Sequence, residues 1–196
     1  MAARDTGTEQ LIKDTAKRIF FSEGKLHATT QDIADAAGVN RTLVHYYFRS
    51  RDILFEQIIQ EGKEEWRLIM EPILTGNHTF KVKLKKMIDT VLDLIVAYPY
   101  RELFVITEEK RHAEIQLDEK HELFIKPFLA EIKEEMIKGH VKTMDPRQFM
   151  MNLFSLMSYP VVSASLQKSV LRISDAEYIK MMKQRKNIIF EMLYQD

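Results

Sequence analysis

The 196-residue chain is 45% hydrophobic and 30% charged, enough to bury a sizeable core, and its 29 Lys and Arg balance 29 Asp and Glu. A net charge of zero argues against a protein that coats nucleic acid, and the lack of cysteine excludes a disulfide framework, a thiolate metal site and a cysteine nucleophile. The start MAARDTGTEQ holds no apolar signal region and no apolar run approaches the roughly 20 residues of a membrane helix, so the expectation is a cytoplasmic protein without a membrane partner.

Five prolines, six glycines and apolar residues three and four apart predict an almost entirely helical chain of about nine helices. The first runs from Thr8 to Ser22 with Ile12, Ala16, Ile19 and Phe20 on one face, and Gly24 ends it. Thr30 is the expected cap of a short helix over Gln31–Ala37, closed by Gly38, and Asn40 of a third over Arg41–Phe48. Ser50 should cap a long fourth helix that Pro72 stops after Glu71. Further helices are expected over Lys81–Ala97, Arg101–Ala113 and Glu119–Lys138. Asp145 followed by Pro146 starts another that reaches Gln167, with a kink at Pro160 that either opens room for a ligand or fits a neighbour. Ser174 with Glu177 forms a capping box for the last helix, which ends near Tyr194.

Helices two and three, joined by Ala37-Gly38-Val39-Asn40, have the layout of a helix-turn-helix, whose second helix enters the DNA major groove. Helical period splits the third helix into two faces. Leu43, Val44, Tyr47 and Phe48 reach inward, while Thr42, His45, Tyr46 and Arg49 form an outer stripe of hydrogen-bonding groups and a cation. From Gly38 to Arg51 the chain carries three arginines and one histidine but no acid, so any attraction for phosphate is local; Arg51, at the start of helix four, suits a phosphate contact. A plain solvated corner is the rival reading, but two adjacent tyrosines on a short helix are costly for such a face and useful against sugar and phosphate.

Residues 8–55 resemble the DNA-binding region of the TetR family of bacterial transcriptional regulators. The resemblance rests on Phe20 and Gly24, then Thr30, Ile33, Ala34, Ala37, Gly38 and Val39, then Val44, His45 and Phe48, and finally Ser50, Arg51, Asp52 and Leu54. It implies DNA contacts from Thr30, Asn40, Arg41, Thr42, His45, Tyr46, Tyr47 and Arg51. His45 stands where the family often has tyrosine, Thr42 where glycine is frequent and Arg51 where lysine is usual, so the preferred base sequence is this chain's own. The fold it implies is all-α: a three-helix DNA-binding domain over residues 1–55, joined by the long fourth helix to a larger helical domain over 56–196.

In relatives that second domain binds a small-molecule effector and dimerises through its last two helices, which makes a homodimeric repressor on a palindromic operator the leading expectation. Phe149, Leu153, Leu156, Met157, Ile179, Met182, Ile188, Ile189 and Met192 are candidates for the dimer interface or for intramolecular core. Trp66, Met70, Phe104, Met150, Met151, Phe154 and Tyr159 are candidates for lining an effector pocket, with core packing as the commoner role of any one of them. The six histidines lack the paired spacing of a zinc site, adjacent acids such as Glu108-Glu109 diverge on a helix, and no P-loop, GxGxxG or GxSxG occurs. No metal, no cofactor and no enzymatic activity are expected. An alternative in another class is a small-molecule-binding or protein-interaction module that keeps the helix-turn-helix as scaffold, supported by eight cations against seven acids through Phe55.

Overall fold

A computed structural model describes residues 6–101, 103 and 119–195, and the regular structure in them is all helical. In chain order the elements are α1 (Thr6–Lys17), running on into a π-helical turn (Arg18–Ser22), α2 (Thr30–Ala37), α3 (Arg41–Phe48), α4 (Arg51–Thr75) and α5 (Phe80–Ala97). From residue 119 onward come α6 (Glu119–Ile137), α7 (Pro146–Val162), α8 (Ala164–Leu171) and α9 (Asp175–Leu193). The helix expected over Arg101–Ala113 lies almost wholly outside the described residues. The described chain divides into two compact units, one of residues 6–66 with 98–101 and 103, the other of residues 67–97 with 119–195.

The first unit closes over Ile12, Ala16, Ile19, Phe20, Ile33, Ala34, Val44, Phe48, Leu54 and Ile58, all essentially inaccessible to water. The π turn lets three consecutive side chains, Ile19, Phe20 and Phe21, all point into this core, which a regular α-helical turn would spread around its axis. Lys13 and Lys17 tie α1 to α4 through Glu61 at 2.6 Å and Glu65 at 2.9 Å. Truncating Phe48, which is fully buried, would cost about 3–5 kcal/mol.

In the second unit Phe80 is the aromatic hub, stacked on Phe128 at 5.4 Å and tilted against Phe149 and Tyr194 at 6.3 and 6.2 Å. Leu84, Met87 and Leu92 of α5, Ile132 of α6, Leu153 and Met157 of α7 and Ile189 of α9 are also buried in this unit. Among the described residues no single helix is long and apolar enough to cross a membrane.

Three features differ from expectation for identifiable reasons. Thr29, not Thr30, caps α2, because Asp32 completes a reciprocal capping box with it. Pro72 lies inside α4 instead of stopping it: the ring lacks an N–H, but its carbonyl still accepts from Gly76 at 3.2 Å, and Thr75 Oγ1 donates to the Glu71 carbonyl at 2.8 Å. The helix expected from Asp145 to Gln167 breaks at Ser163 into α7 and α8, bent by 76°. Pro160 cannot donate to the Leu156 carbonyl, and Arg185 of α9 supplies the missing bond with Nε at 2.8 Å, while Tyr178 donates its hydroxyl to the Pro160 carbonyl at 2.9 Å. The irregular turn is thus held by side chains of α9. Burial lowers the affinity of the Arg185 guanidinium for its proton and raises the Tyr178 hydroxyl above its ordinary value.

Candidate nucleic-acid interface

The turn between α2 and α3 is built by local chemistry. Gly38 ends α2 at φ +67°, a left-handed position that costs an L side chain energy, and the Val39 N–H closes on the Ala34 carbonyl at 3.0 Å. Asn40 Oδ1 then accepts from the Thr42 N–H at 2.8 Å and starts α3. At the start of α2, Thr29 N–H donates to the Asp32 carboxylate at 2.7 Å and its hydroxyl does the same, bonds that hold the Asp32 carboxyl below its ordinary value.

α3 sits on the core through Val44 and Phe48, 1% and 0% exposed. Tyr47 is half-buried, packed against that core and edge-to-face with Tyr46 at 5.2 Å between ring centres. The outer side carries Arg41, Thr42, His45, Tyr46 and Arg49, all exposed, with Tyr46 at 65%. Among the described residues the side chains of Arg41, Thr42, His45 and Arg49 have no partner, so one face of α3 presents two cations, an imidazole and two hydroxyl groups together. Leu43, grouped with the inward set by periodicity, is 38% exposed, because an eight-residue helix rests on its support along a narrow line only.

Two positions at the rim behave differently from the stripe. Arg49 ends α3 with φ +61°, an uncommon conformation for a residue with a Cβ, and so swings the chain sharply toward α4. Arg51 does not reach outward. Its Nε donates to the Ala28 carbonyl at 3.0 Å, its Nη2 to the Leu26 carbonyl, and its guanidinium lies 5.2 Å from the centre of the Phe20 ring. The side chain expected to contact phosphate is therefore used as a brace between the start of α4 and the loop before α2. What remains at that helix start for an anion is backbone N–H, apart from the Ile53 N–H, which Ser50 Oγ takes at 3.2 Å. Thr30 is half-buried in the first turn of α2, and Asn40, the cap that starts α3, is exposed.

The residues singled out for an effector pocket scatter. Met70 and Met150 are buried, Trp66 is half-buried, Met151, Phe154 and Tyr159 are 61%, 37% and 59% exposed, and Phe104 lies outside the described residues. Of those considered for a dimer interface, Phe149, Leu153, Met157, Met182 and Ile189 lie in the chain's own core and Leu156 is half-buried, whereas Ile179, Ile188 and Met192 are 55%, 45% and 63% exposed. Among the described residues no group of three His, Asp or Glu could hold a metal ion.

Residues 12–58 match the family model described as bacterial regulatory proteins, tetR family. Over 163 residues, 79% of this chain and 78% of the relative, the sequence is 21% identical to an uncharacterized HTH-type transcriptional regulator, YfiR, of Bacillus subtilis (strain 168). The fold is similar to that of a TetR family transcription regulator from Marinobacter aquaeolei VT8, with a TM-score of 0.61 and 13% identity over the whole of both chains. It is also similar to a TetR-family transcriptional regulator from Haemophilus influenzae RD, with a TM-score of 0.56 and 12% identity over 98% of this chain and 100% of the other.

Proposed function

We propose that this chain, whose residues 12–58 match the family model described as bacterial regulatory proteins, tetR family, represses transcription as a homodimer on a palindromic operator and is released by a small-molecule effector. The family is one of DNA-binding transcription regulators and not of enzymes. The observation that carries the reading is the exposed stripe of α3, Arg41, Thr42, His45, Tyr46 and Arg49, held rigidly by two helix caps and two buried anchors. Hydrogen-bonding side chains on a helix that fits a major groove read base edges, and tyrosine and arginine at its ends reach phosphate.

One recognition helix covers half a site, and two held about 34 Å apart by a symmetric dimer read a palindrome. The surface that supports dimerisation is the outward side of the last helices: Ile179, Met181, Ile188 and Met192 on α9, Met151 and Phe154 on α7, and Leu166 and Val170 on α8. α8 contains no buried residue, and its Leu166, Val170 and Leu171 are 59%, 70% and 55% exposed. An effector bound in the second unit would release the operator by favouring a dimer whose half-site spacing no longer fits, a shift limited by its difference in affinity for the two forms.

Fluorescence anisotropy with a palindromic duplex, combined with light scattering, tests the reading. We expect a solution mass of about twice 23.1 kDa and a binding constant that falls steeply with salt. Ile188→Glu should give a monomer that no longer shifts the duplex. A monomeric wild-type protein that binds the duplex as tightly as random DNA refutes the reading.

A further inference from the structure

Residues 98–101 follow α5 far along the chain, yet they belong to the same unit as the helix-turn-helix. Tyr100 donates its backbone N–H to the Phe21 carbonyl at 3.0 Å, the last buried residue of the π turn. Its ring lies directly on Gly24: a Cβ there would sit 2.8 to 2.9 Å from three ring carbons, closer than real Cβ atoms come. Gly24 has φ +70°, so the backbone conformation and the ring both require a glycine.

The loop that starts at Gly24 is the one that Arg51 braces. Leu26 N–H bonds to the Gly24 carbonyl at 2.9 Å and Ala28 N–H to the Lys25 carbonyl at 3.0 Å, while the carbonyls of Leu26 and Ala28 face the Arg51 guanidinium. It ends at Thr29, the cap of α2. These six residues, held by Tyr100 at one end and Arg51 at the other, therefore set where α2 begins and how the start of α4 stands beside it. Tyr100 is itself 41% exposed and lies outside the buried cluster of this unit, so removing its ring leaves that core intact.

We propose that Tyr100 is a positioning residue for operator recognition: its ring seats Gly24 and holds the α1–α2 loop in the register that aligns the starts of α2 and α4 with α3. This rests on the DNA-binding reading above. The ring, not the hydroxyl, does the positioning, since among the described residues the hydroxyl has no partner.

The test compares wild type, Tyr100→Phe and Tyr100→Ala by anisotropy on a duplex selected by the wild-type protein and on a scrambled duplex, with hydrogen exchange of the amides from Lys25 to Thr29. Tyr100→Ala should weaken the selected duplex about tenfold, the scale of one mismatched base pair, leave the scrambled duplex unchanged and speed exchange in the loop. Tyr100→Phe should match wild type in all three. Tyr100→Ala that binds the selected duplex like wild type, Tyr100→Phe that loses as much as alanine, or loop exchange unchanged in Tyr100→Ala each overturns the proposal. A wild-type protein that selects no sequence overturns the DNA-binding reading and this proposal with it.

Discussion

Arg51 separates two roles that one position can play, a phosphate ligand or an internal brace, and replacing it with methionine distinguishes them. Its side chain is 21% exposed, bonds two loop carbonyls and lies over Phe20. Removing the guanidinium strands the Leu26 and Ala28 carbonyls and ends the ring interaction; charged hydrogen bonds of this kind contribute about 1.5–3 kcal/mol each and the cation–π interaction about 1 kcal/mol, partly offset because the loop can open to water. A net loss of about 3 kcal/mol is expected for Arg51→Met, a fall in melting temperature of roughly 6–12 °C for a chain of this length. Arg51→Lys should recover about half, since a single ammonium cannot serve both carbonyls in the same geometry. The discriminating assay is the slope of log binding constant against log salt. If Arg51 neutralised a phosphate, its replacement would reduce that slope by about two ions, one per subunit of the dimer, whereas a brace leaves it unchanged when measured well below the melting temperature. A reduced slope with an unchanged melting temperature would refute the reasoning.

Alanine at Gly38 should cost about 1 kcal/mol, because the position has φ +67° but open space around a new Cβ; Gly24→Ala should cost more by thermal melting, and part of the excess should vanish in a Tyr100→Ala background. Arg185→Met should destabilise by about 1–3 kcal/mol in urea unfolding because the Leu156 carbonyl loses its donor; with Pro160→Ala, which restores the backbone N–H, the same substitution should cost clearly less, and equal costs would remove the role assigned to Arg185. Burial pushes the Glu135 carboxyl up, but hydrogen bonds from Lys138 and His140, both at 2.7 Å, outweigh it and hold the group below its ordinary 4.5. Its folded value is depressed, so its contribution is present above pH 4.5 and is lost as pH falls below that. Melting temperatures taken from pH 7 down to pH 3 should therefore drop more steeply for wild type than for Glu135→Gln, and parallel curves would contradict the assignment.

Much of the helical architecture could be read from the chain because its determinants are local. Gly38, Asn40, Ser50, Asp145 with Pro146, and Ser174 with Glu177 each act within one turn, and each stands where the caps and breaks were expected. Thr42, His45, Tyr46 and Arg49 of the α3 stripe follow from helical period, since Val44 and Phe48 are large enough to decide which face is buried, whereas the exposure of Leu43 does not. Thr29 was open to the same reasoning, as it stands three residues before Asp32, but Thr30 competed for the role.

The remaining features depend on partners distant in sequence. Nothing near Arg51 indicates that its guanidinium turns back to carbonyls at 26 and 28, and a basic residue at a helix start reads equally well as a phosphate ligand. Pro160 signals a break, yet where the helix bends depends on Arg185 and Tyr178 in another helix. Gly24 reads as a simple helix stop, and only the Tyr100 ring reveals a second reason for glycine. Similarly, Met150 and Met151 are neighbours of like composition, and their exposures of 9% and 61% are decided by which side of α7 the rest of the unit covers.

Selection of bound fragments from random double-stranded DNA at low salt, by wild type and by a Thr42→Ala, His45→Ala, Tyr46→Ala triple variant, tests the central claim most directly. We expect wild type to enrich a palindrome with half-sites about 34 Å apart and the variant to enrich none while keeping its helical content. No enrichment by wild type, or the same palindrome enriched by the variant, would contradict recognition of DNA by the exposed face of α3.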